Sequence, residues 1–144
     1  MRSLAAGLKA RPLFLLTVLS GCLFSLGSMA ESQRIENRVA VFSGIDKITG
    51  RITTFDVYLN ETVRFGPLEI TPRVCYSRPA SETPKTTSFV EVDEITLNRR
   101  IQRLFTGWMF AESPGLNAIE HSVSDVWLVG CKQTSTEAPP PPNS

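Results

Sequence analysis

Short segments in which apolar and polar residues alternate are the feature that most constrains the fold of this chain. Residues 51–59 read RITTFDVYL, so that Phe55, Val57 and Leu59 share one face of an extended strand and polar side chains occupy the other. Comparable stretches, bounded by turn residues, occur at 37–42, 62–65, 68–76, 88–92, 101–110 and 125–131. This pattern predicts an all-β domain, a small antiparallel β-sandwich or barrel of about six to eight short strands.

Residues 94–104 are the one segment that also fits a short helix. Ile95, Leu97, Ile101 and Leu104 give it partial helical spacing. A helix near 94–104 is therefore the expected alternative to strand at this place.

Strand parity gives expectations for individual side chains, because successive residues of a strand point to opposite faces. In 125–131, Trp127 and Cys131 share a parity, which predicts that Trp127 lies in the core beside Cys131. In 68–76, Leu68 has the same parity as Tyr76, and Cys75 has the opposite one.

Residues 1–30 have the layout of an export signal. Basic residues precede an apolar run at residues 12–26, which is too short for a convincing membrane span, and the first acidic residue is Glu31. Ser28-Met29-Ala30 offers the small residues that a signal peptidase inspects. Cleavage after Ala30 would release a periplasmic protein that starts at Glu31.

An alternative signal ends before Cys22. Leu19-Ser20-Gly21-Cys22 resembles a bacterial lipobox, in which Cys22 would carry lipid and anchor the protein in the inner or outer membrane, facing the periplasm. The apolar residues that follow Cys22 differ from the polar tether of most lipoproteins. The two readings differ in the mature N-terminus, Glu31 or lipidated Cys22.

The rest of the chain is expected to form a single β-domain at residues 37–132, after an N-terminal tether at residues 31–36. Residues 133–144, with proline-rich APPPP, are expected to be a disordered tail. Loss of Arg2, Lys9 and Arg11 with the signal would leave twelve basic and fourteen acidic residues, a net charge of about −2. This balance argues against nucleic acid and anionic membranes as partners, apart from a lipid anchor.

Cys75 and Cys131 are the two cysteines outside the signal. In an oxidising compartment two cysteines are most simply one disulfide, here between a strand in the middle of the chain and the last one. Metal binding is not expected, because the sequence has one histidine and no CxxC pair. No cofactor is indicated either, since no glycine-rich phosphate loop is present.

Four blocks resemble, in this order, the alphaproteobacterial exported proteins of domain-of-unknown-function family 2155. The blocks are GIDKITGRITTFDV, RFGPLEITPRVCYSRP, FVEV and GWMFAESPGLNAIEHSVSDVWLVGC. The resemblance covers about residues 36–132. It implies a small periplasmic or envelope-associated protein, and it supplies no reaction.

A small cell-wall-modifying hydrolase is one functional alternative. It would use Ser122 or Ser124 as nucleophile, His121 as base and Asp125 or Glu120 as orienting acid. These residues are too close together in sequence to form such a relay on a strand, and no GxSxG or SxxK motif accompanies them. A glycosidase pair among the carboxylates of VEVDE, residues 90–94, is explained more simply by a solvated strand edge.

A binding role agrees better with the sequence. Trp108 lies in the apolar run Trp-Met-Phe, and the loop after it carries Leu116, Ile119 and His121. An exposed apolar strand side beside such a loop is typical of a partner site. The sequence therefore predicts a non-catalytic envelope domain that contacts another envelope protein or a cell-wall component through residues 107–121, or a carbohydrate-binding module that uses an exposed tryptophan.

Overall fold

The computed structural model describes residues 32–136. The predicted export signal at residues 1–30, with Cys22, and the part of the proline-rich tail after Thr136 lie outside the described residues. Nine strands form within the described part: β1 Ile35–Asn37, β2 Val39–Asp46, β3 Arg51–Tyr58, β4 Val63–Phe65, β5 Leu68–Ser77, β6 Thr87–Ile95, β7 Ile101–Phe110, β8 Ile119–Glu120 and β9 Ser124–Lys132.

The strands form two antiparallel sheets that pack as a sandwich. The first sheet has the order β1-β5-β6-β7, and β4 also pairs with β5. The second sheet has the order β3-β2-β9-β8. The all-β prediction is confirmed, and the two sheets make the fold a sandwich rather than a barrel.

The core lies between the two sheets. It is formed by the apolar side chains that point inward at every second position of the strands. The rings of Phe42, Phe55 and Phe65 stack in series, with centroids 6.0 and 5.4 Å apart. Val90 and Leu128 are among the other core side chains that are almost completely buried. Close packing of such aromatic and branched side chains is the main favourable contribution to the stability of a domain of this size.

The predicted disulfide is present between Cys75 on β5 and Cys131 on β9, with the Cα atoms 5.8 Å apart. It joins the first sheet to the second. Because 56 positions separate the two cysteines, the bond closes a long loop in the unfolded chain.

The short helix expected near 94–104 is wrong, because no helix forms among residues 32–136. Ile95 and Ile101 are paired across the β6–β7 turn, in which Thr96 and Arg100 are joined by backbone and side-chain hydrogen bonds. Arg99 takes a left-handed conformation with φ 59°, which closes the turn. The partial helical spacing was a coincidence of a strand end and a tight turn. Within the described part, no helix has the length and apolarity that a bilayer span requires.

The expectation that Trp127 is a core residue is also wrong. Val126 and Leu128 point into the core, and Trp127 is half-buried on the outer face of the second sheet. A bulge opposite Val41 and Phe42 shifts the register of β9, so that Cys131 points inward again. A second bulge, between Pro72 and Val74, similarly reverses the parity of β5, which places Leu68 and Cys75 in the core and Tyr76 outside.

Candidate functional site

Aromatic side chains gather on the outer face of the first sheet. Met109 occupies the inward parity of β7 and is buried, so its neighbour Trp108 points outward and is 40% exposed. The Trp108 indole lies 6.1 Å from the Tyr76 ring and 5.4 Å, edge to face, from the Phe89 ring. These contacts come from three adjacent strands and hold the indole in one orientation.

Cationic side chains surround these rings. The Arg34 guanidinium lies 4.0 Å from the centroid of the Tyr76 ring, in a cation–π contact. Together with Arg78, Lys85, Phe110 and Trp108, the two side chains line a cavity of about 380 Å³. Among residues 32–136, no carboxylate lines it. The cavity therefore combines aromatic surface with positive charge.

A second cavity, of about 640 Å³, continues the first and shares Arg78, Lys85 and Phe110 with it. Its far end is lined by Leu116 from the loop after β7. Two carboxylates line this second cavity, and both are engaged: Glu82 accepts a hydrogen bond from Arg78, and Glu112 accepts the backbone N–H of Thr86. We call the two connected cavities the aromatic groove; its principal lining residues are Arg34, Tyr76, Arg78, Lys85, Trp108, Phe110 and Leu116.

The floor of the aromatic groove offers side chains rather than free backbone groups. Strands β5, β6 and β7 are paired with one another beneath it. At the open edge of β7, the Trp108 carbonyl accepts a hydrogen bond of 2.7 Å from the Asn117 side chain. A ligand in the groove would therefore be bound through aromatic faces and charged groups, and not as an added strand.

A ladder of ion pairs lies beside the aromatic groove on the same sheet face. Arg73 donates two hydrogen bonds, of 2.7 and 3.0 Å, to Glu91, and Arg103 donates one of 2.5 Å to Asp93. The Arg73 hydrogen bonds are the largest cause of the lowered pKa of Glu91, and the bond to Asp93 is the largest cause of the raised pKa of Arg103. These carboxylates, considered above as a glycosidase pair, thus serve as partners of arginines.

His121 is an anchor of the loop between β8 and β9. Its side chain is 13% exposed, and its Nε2 lies 3.0 Å from Glu94 Oε1 at the end of β6. Its Nδ1 accepts the backbone N–H of Val123 at 3.3 Å, and its carbonyl accepts a hydrogen bond from Lys47. Both ring nitrogens are therefore engaged in holding the loop against the first sheet.

The residues of the hydrolase alternative lie near one another but do not form a relay. Ser124 is buried and Ser122 is exposed, and within residues 32–136 neither hydroxyl is hydrogen-bonded to the imidazole. Asp125 Oδ1 accepts the His121 backbone N–H and lies 2.7 Å from Lys47 Nζ. In the part of the chain that the structure describes, no group of three His, Cys, Asp or Glu side chains is placed to hold a metal ion.

Four residues were predicted from the sequence to contact a partner, and in the structure only two of them lie at the aromatic groove. Trp108 and Leu116, the latter 69% exposed, line the aromatic groove. Ile119 is 4% exposed and belongs to the core, and His121 holds the loop at the opposite end of β6. Only the first pair is therefore available to a ligand at this surface.

Sequence reasoning missed most of the cationic lining. Arg34 lies in the segment assigned to a tether, and Lys85 lies in a polar surface loop, so neither has a strand pattern. Tyr76 was expected to share the parity of Leu68, because the bulge in β5 leaves no mark in the sequence. The excess of basic over acidic residues in SRPASETPKTT, residues 77–87, was the one available signal.

Comparison with known proteins places most of the described domain in one family. Residues 40–131 match the model of the family described as "Uncharacterized protein conserved in bacteria (DUF2155)". Among curated proteins and among solved structures, no match to the chain was found. The matched range runs from β2 through β9 and includes Tyr76, Trp108 and both disulfide cysteines. The chain therefore belongs to this uncharacterised bacterial family.

Proposed function

We propose that this protein is a non-catalytic binding domain of the bacterial cell envelope and that it contacts another envelope component through the aromatic groove. The observation that carries the proposal is the exposed Trp108 ring, fixed by Tyr76 and Phe89 beside the Arg34 guanidinium. Tryptophan, tyrosine and arginine are the residues that most often dominate the energy of binding surfaces. A ring that is already held in place loses little conformational freedom when a ligand covers it.

The proposed compartment is the periplasm. Support comes from the export-signal pattern of residues 1–30 and from the Cys75–Cys131 bond, since disulfides persist in oxidising compartments. The alternative is a lipid anchor on Cys22. Mass spectrometry of the mature N-terminus separates the two: a chain that starts at Glu31 refutes the lipid anchor, and a diacylated Cys22 refutes cleavage after Ala30.

The non-catalytic part of the proposal rests on the surroundings of His121. Its two ring nitrogens contact Glu94 and the Val123 N–H, and neither nearby serine is positioned to give it a proton. Turnover of an envelope substrate that His121→Ala abolishes, while Trp108→Ala leaves it unchanged, would replace this proposal with the hydrolase alternative.

The binding role is tested by cross-linking in envelope fractions. A photoreactive amino acid at Leu116 should capture a partner, and Trp108→Ala should reduce that capture by at least tenfold, as expected for a truncated aromatic hot spot. Val129→Ala, an exposed position on the outer face of the second sheet, is the matched control and should leave capture unchanged. Equal capture by the Trp108→Ala protein and the parent would show that the aromatic groove is not the contact.

A carbohydrate-binding module is the second candidate, because an exposed indole next to a tyrosine ring on an open groove offers a flat surface for a sugar ring. Soluble cell-wall glycans should then change the fluorescence of Trp108. In a Trp108→Phe variant only Trp127, on the other sheet, reports. A glycan response that persists in this variant would refute stacking on Trp108.

A further inference from the structure

The outer face of the second sheet carries an apolar patch, although the outward faces of antiparallel sheets are mostly polar. Ile52 is 61% exposed and Val129 is 47% exposed. Val41, Ile45 and Trp127 are half-buried on the same face. The register pairs Ile45 with Ile52 and places the five residues on three adjacent strands, β3, β2 and β9. We call these five residues the outer patch.

The centre of the outer patch is uncharged. The charged side chains of this face lie at its margins, as the Asp56–Lys132 ion pair at one end, the Lys47–Asp125 ion pair at the other and Glu120 on the edge strand β8. Next to Trp127, Ser43 Oγ and Thr54 Oγ1 are hydrogen-bonded to each other at 2.8 Å. The centre therefore offers apolar surface and satisfied hydroxyl groups, and it suits an occupant that is itself apolar and uncharged.

The chain that follows β9 crosses one corner of this same face. The Ser135 hydroxyl donates a hydrogen bond to Asp56 Oδ2 on β3, and the Ser135 N–H donates to Tyr58 Oη at 3.1 Å. Asp56 has the outward parity of β3, yet its side chain is only 2% exposed, because Lys132 and Ser135 cover it. Residues 137–144 therefore follow, in the sequence, a segment that is fixed beside the outer patch.

The distance from this corner to Trp127 agrees with the position of the prolines in the sequence. The register places Trp127 two strands across and two residues along from Asp56. This corresponds to about 12 Å, for strands about 4.8 Å apart and about 3.4 Å per residue. A polyproline II segment rises about 3.1 Å per residue, so four residues from Ser135 also span about 12 Å and reach Pro139. Pro139 is the first of four consecutive prolines.

We infer that the proline-rich segment at residues 138–142 docks on the outer patch of its own chain, with its prolines against the Trp127 indole. Aromatic rings bind proline-rich segments because the polyproline II conformation costs little entropy to fix. Residues 138–144 carry no charged side chain, which fits the uncharged centre of the patch. The short connection to Ser135 gives the segment a high effective concentration at the patch. This contact is independent of the aromatic groove, which lies on the other sheet.

The first test is the fluorescence of Trp127 in the chain with Trp108→Phe, in which Trp127 is the one remaining tryptophan. The test variant keeps the length of the segment and replaces its prolines: Pro139→Ser, Pro140→Gly, Pro141→Ser and Pro142→Gly. In this variant the emission of Trp127 should shift to longer wavelength, and its quenching by acrylamide should increase, because the indole loses its cover. Asn143→Gly with Ser144→Gly is the matched control and should change neither quantity. Unchanged emission and quenching in the proline-substituted protein would overturn the inference.

A second measurement locates the segment by cross-linking of the purified protein. A photoreactive benzoylphenylalanine at Asn143 should form cross-links within one chain, to strands β2, β3 or β9. Trp127→Leu keeps an apolar side chain at the half-buried position and should lower the yield of these cross-links several-fold, because the indole surface is lost. Trp108→Leu, the same substitution on the other sheet, is the matched control and should leave the yield unchanged. Parent-like yield in the Trp127→Leu protein, cross-links to the first sheet, or cross-linked dimers, which would show that a second copy covers the patch, would each contradict the inference.

Discussion

A methyl group added at Gly44 is expected to destabilise the domain, because this glycine lies against the Phe65 ring. A Cβ at Gly44 would stand 2.6 Å from Phe65 Cε1 and 2.7 Å from Cζ, well inside van der Waals contact. Phe65 is 2% exposed and stacks on Phe55 at 5.4 Å. The ring therefore cannot move away without disturbing the series of aromatic rings in the core.

The expected magnitude combines two opposing contributions. Overpacking of a well-filled core costs about 1–3 kcal/mol, and replacement of a glycine inside a strand by alanine recovers about 0.5–1 kcal/mol. Gly44→Ala should therefore lower the free energy of unfolding by about 1–2 kcal/mol. In a domain of this size, each kcal/mol lowers Tm by about 5 °C, so the expected fall in Tm is roughly 5–10 °C.

Gly130→Ala is the matched control, and urea unfolding is the assay. Gly130 also lies in a strand of the second sheet, but a Cβ there would meet nothing within 4 Å. Gly130→Ala should therefore leave stability unchanged or raise it by up to about 1 kcal/mol. In a double-mutant cycle, Phe65→Leu should reduce the cost of Gly44→Ala. Equal effects of the two glycine substitutions, or strict additivity in the cycle, would refute the close approach of Gly44 to Phe65.

Three further predictions follow from other parts of the fold. Reduction of the Cys75–Cys131 bond should lower the free energy of unfolding by about 4 kcal/mol, the loop-closure value for 56 positions, as measured by urea unfolding with and without reductant. Hydrogen bonds from the N–H groups of Thr49 and Ile48 lower the pKa of Asp46 in the folded protein. The ionised Asp46 carboxylate therefore stabilises the fold fully above pH 3.8, its ordinary pKa, and this stabilisation is lost as the pH falls through the lower pKa of the folded state. The stability difference between the parent and Asp46→Asn should accordingly shrink in acid unfolding curves below that pH. Asn117→Ala removes the hydrogen bond to the Trp108 carbonyl and should cost about 1 kcal/mol, with faster amide exchange along the β7 edge.

The alternation of apolar and polar residues predicted the major strands, because each of these strands has one face against the core and one toward solvent. The predicted bond between Cys75 and Cys131 was also correct. The error at Trp127 has a different cause from the helix expected at 94–104. A bulge inserts a residue without any requirement on its chemical type, so the sequence pattern does not reveal it, and the bulge in β9 reverses the expected orientation of Trp127 relative to Cys131.

Only some of the residues that line the candidate site could be predicted from the sequence. Trp108 and Leu116 stand out as apolar residues in a strand and a loop, and both line the aromatic groove. Arg34 and Lys85 lie 51 positions apart in segments without a pattern, and β1 and the loop before β6 bring them to one cavity. Long-range pairing of that kind is set by sheet order, which local sequence does not encode.

The sequence by itself determined the all-β class, the places where strands form and the pairing of the two cysteines, because period-two burial and covalent chemistry are local properties of the chain. Only the tertiary structure decided where charge and apolar surface accumulate. A net charge of about −2 is expected for the chain without its signal, yet the fold brings Arg34, Arg78 and Lys85 from separate segments to one cavity that no carboxylate of residues 32–136 lines. Net charge is a sum over the chain, whereas a surface potential depends on which groups the fold brings together.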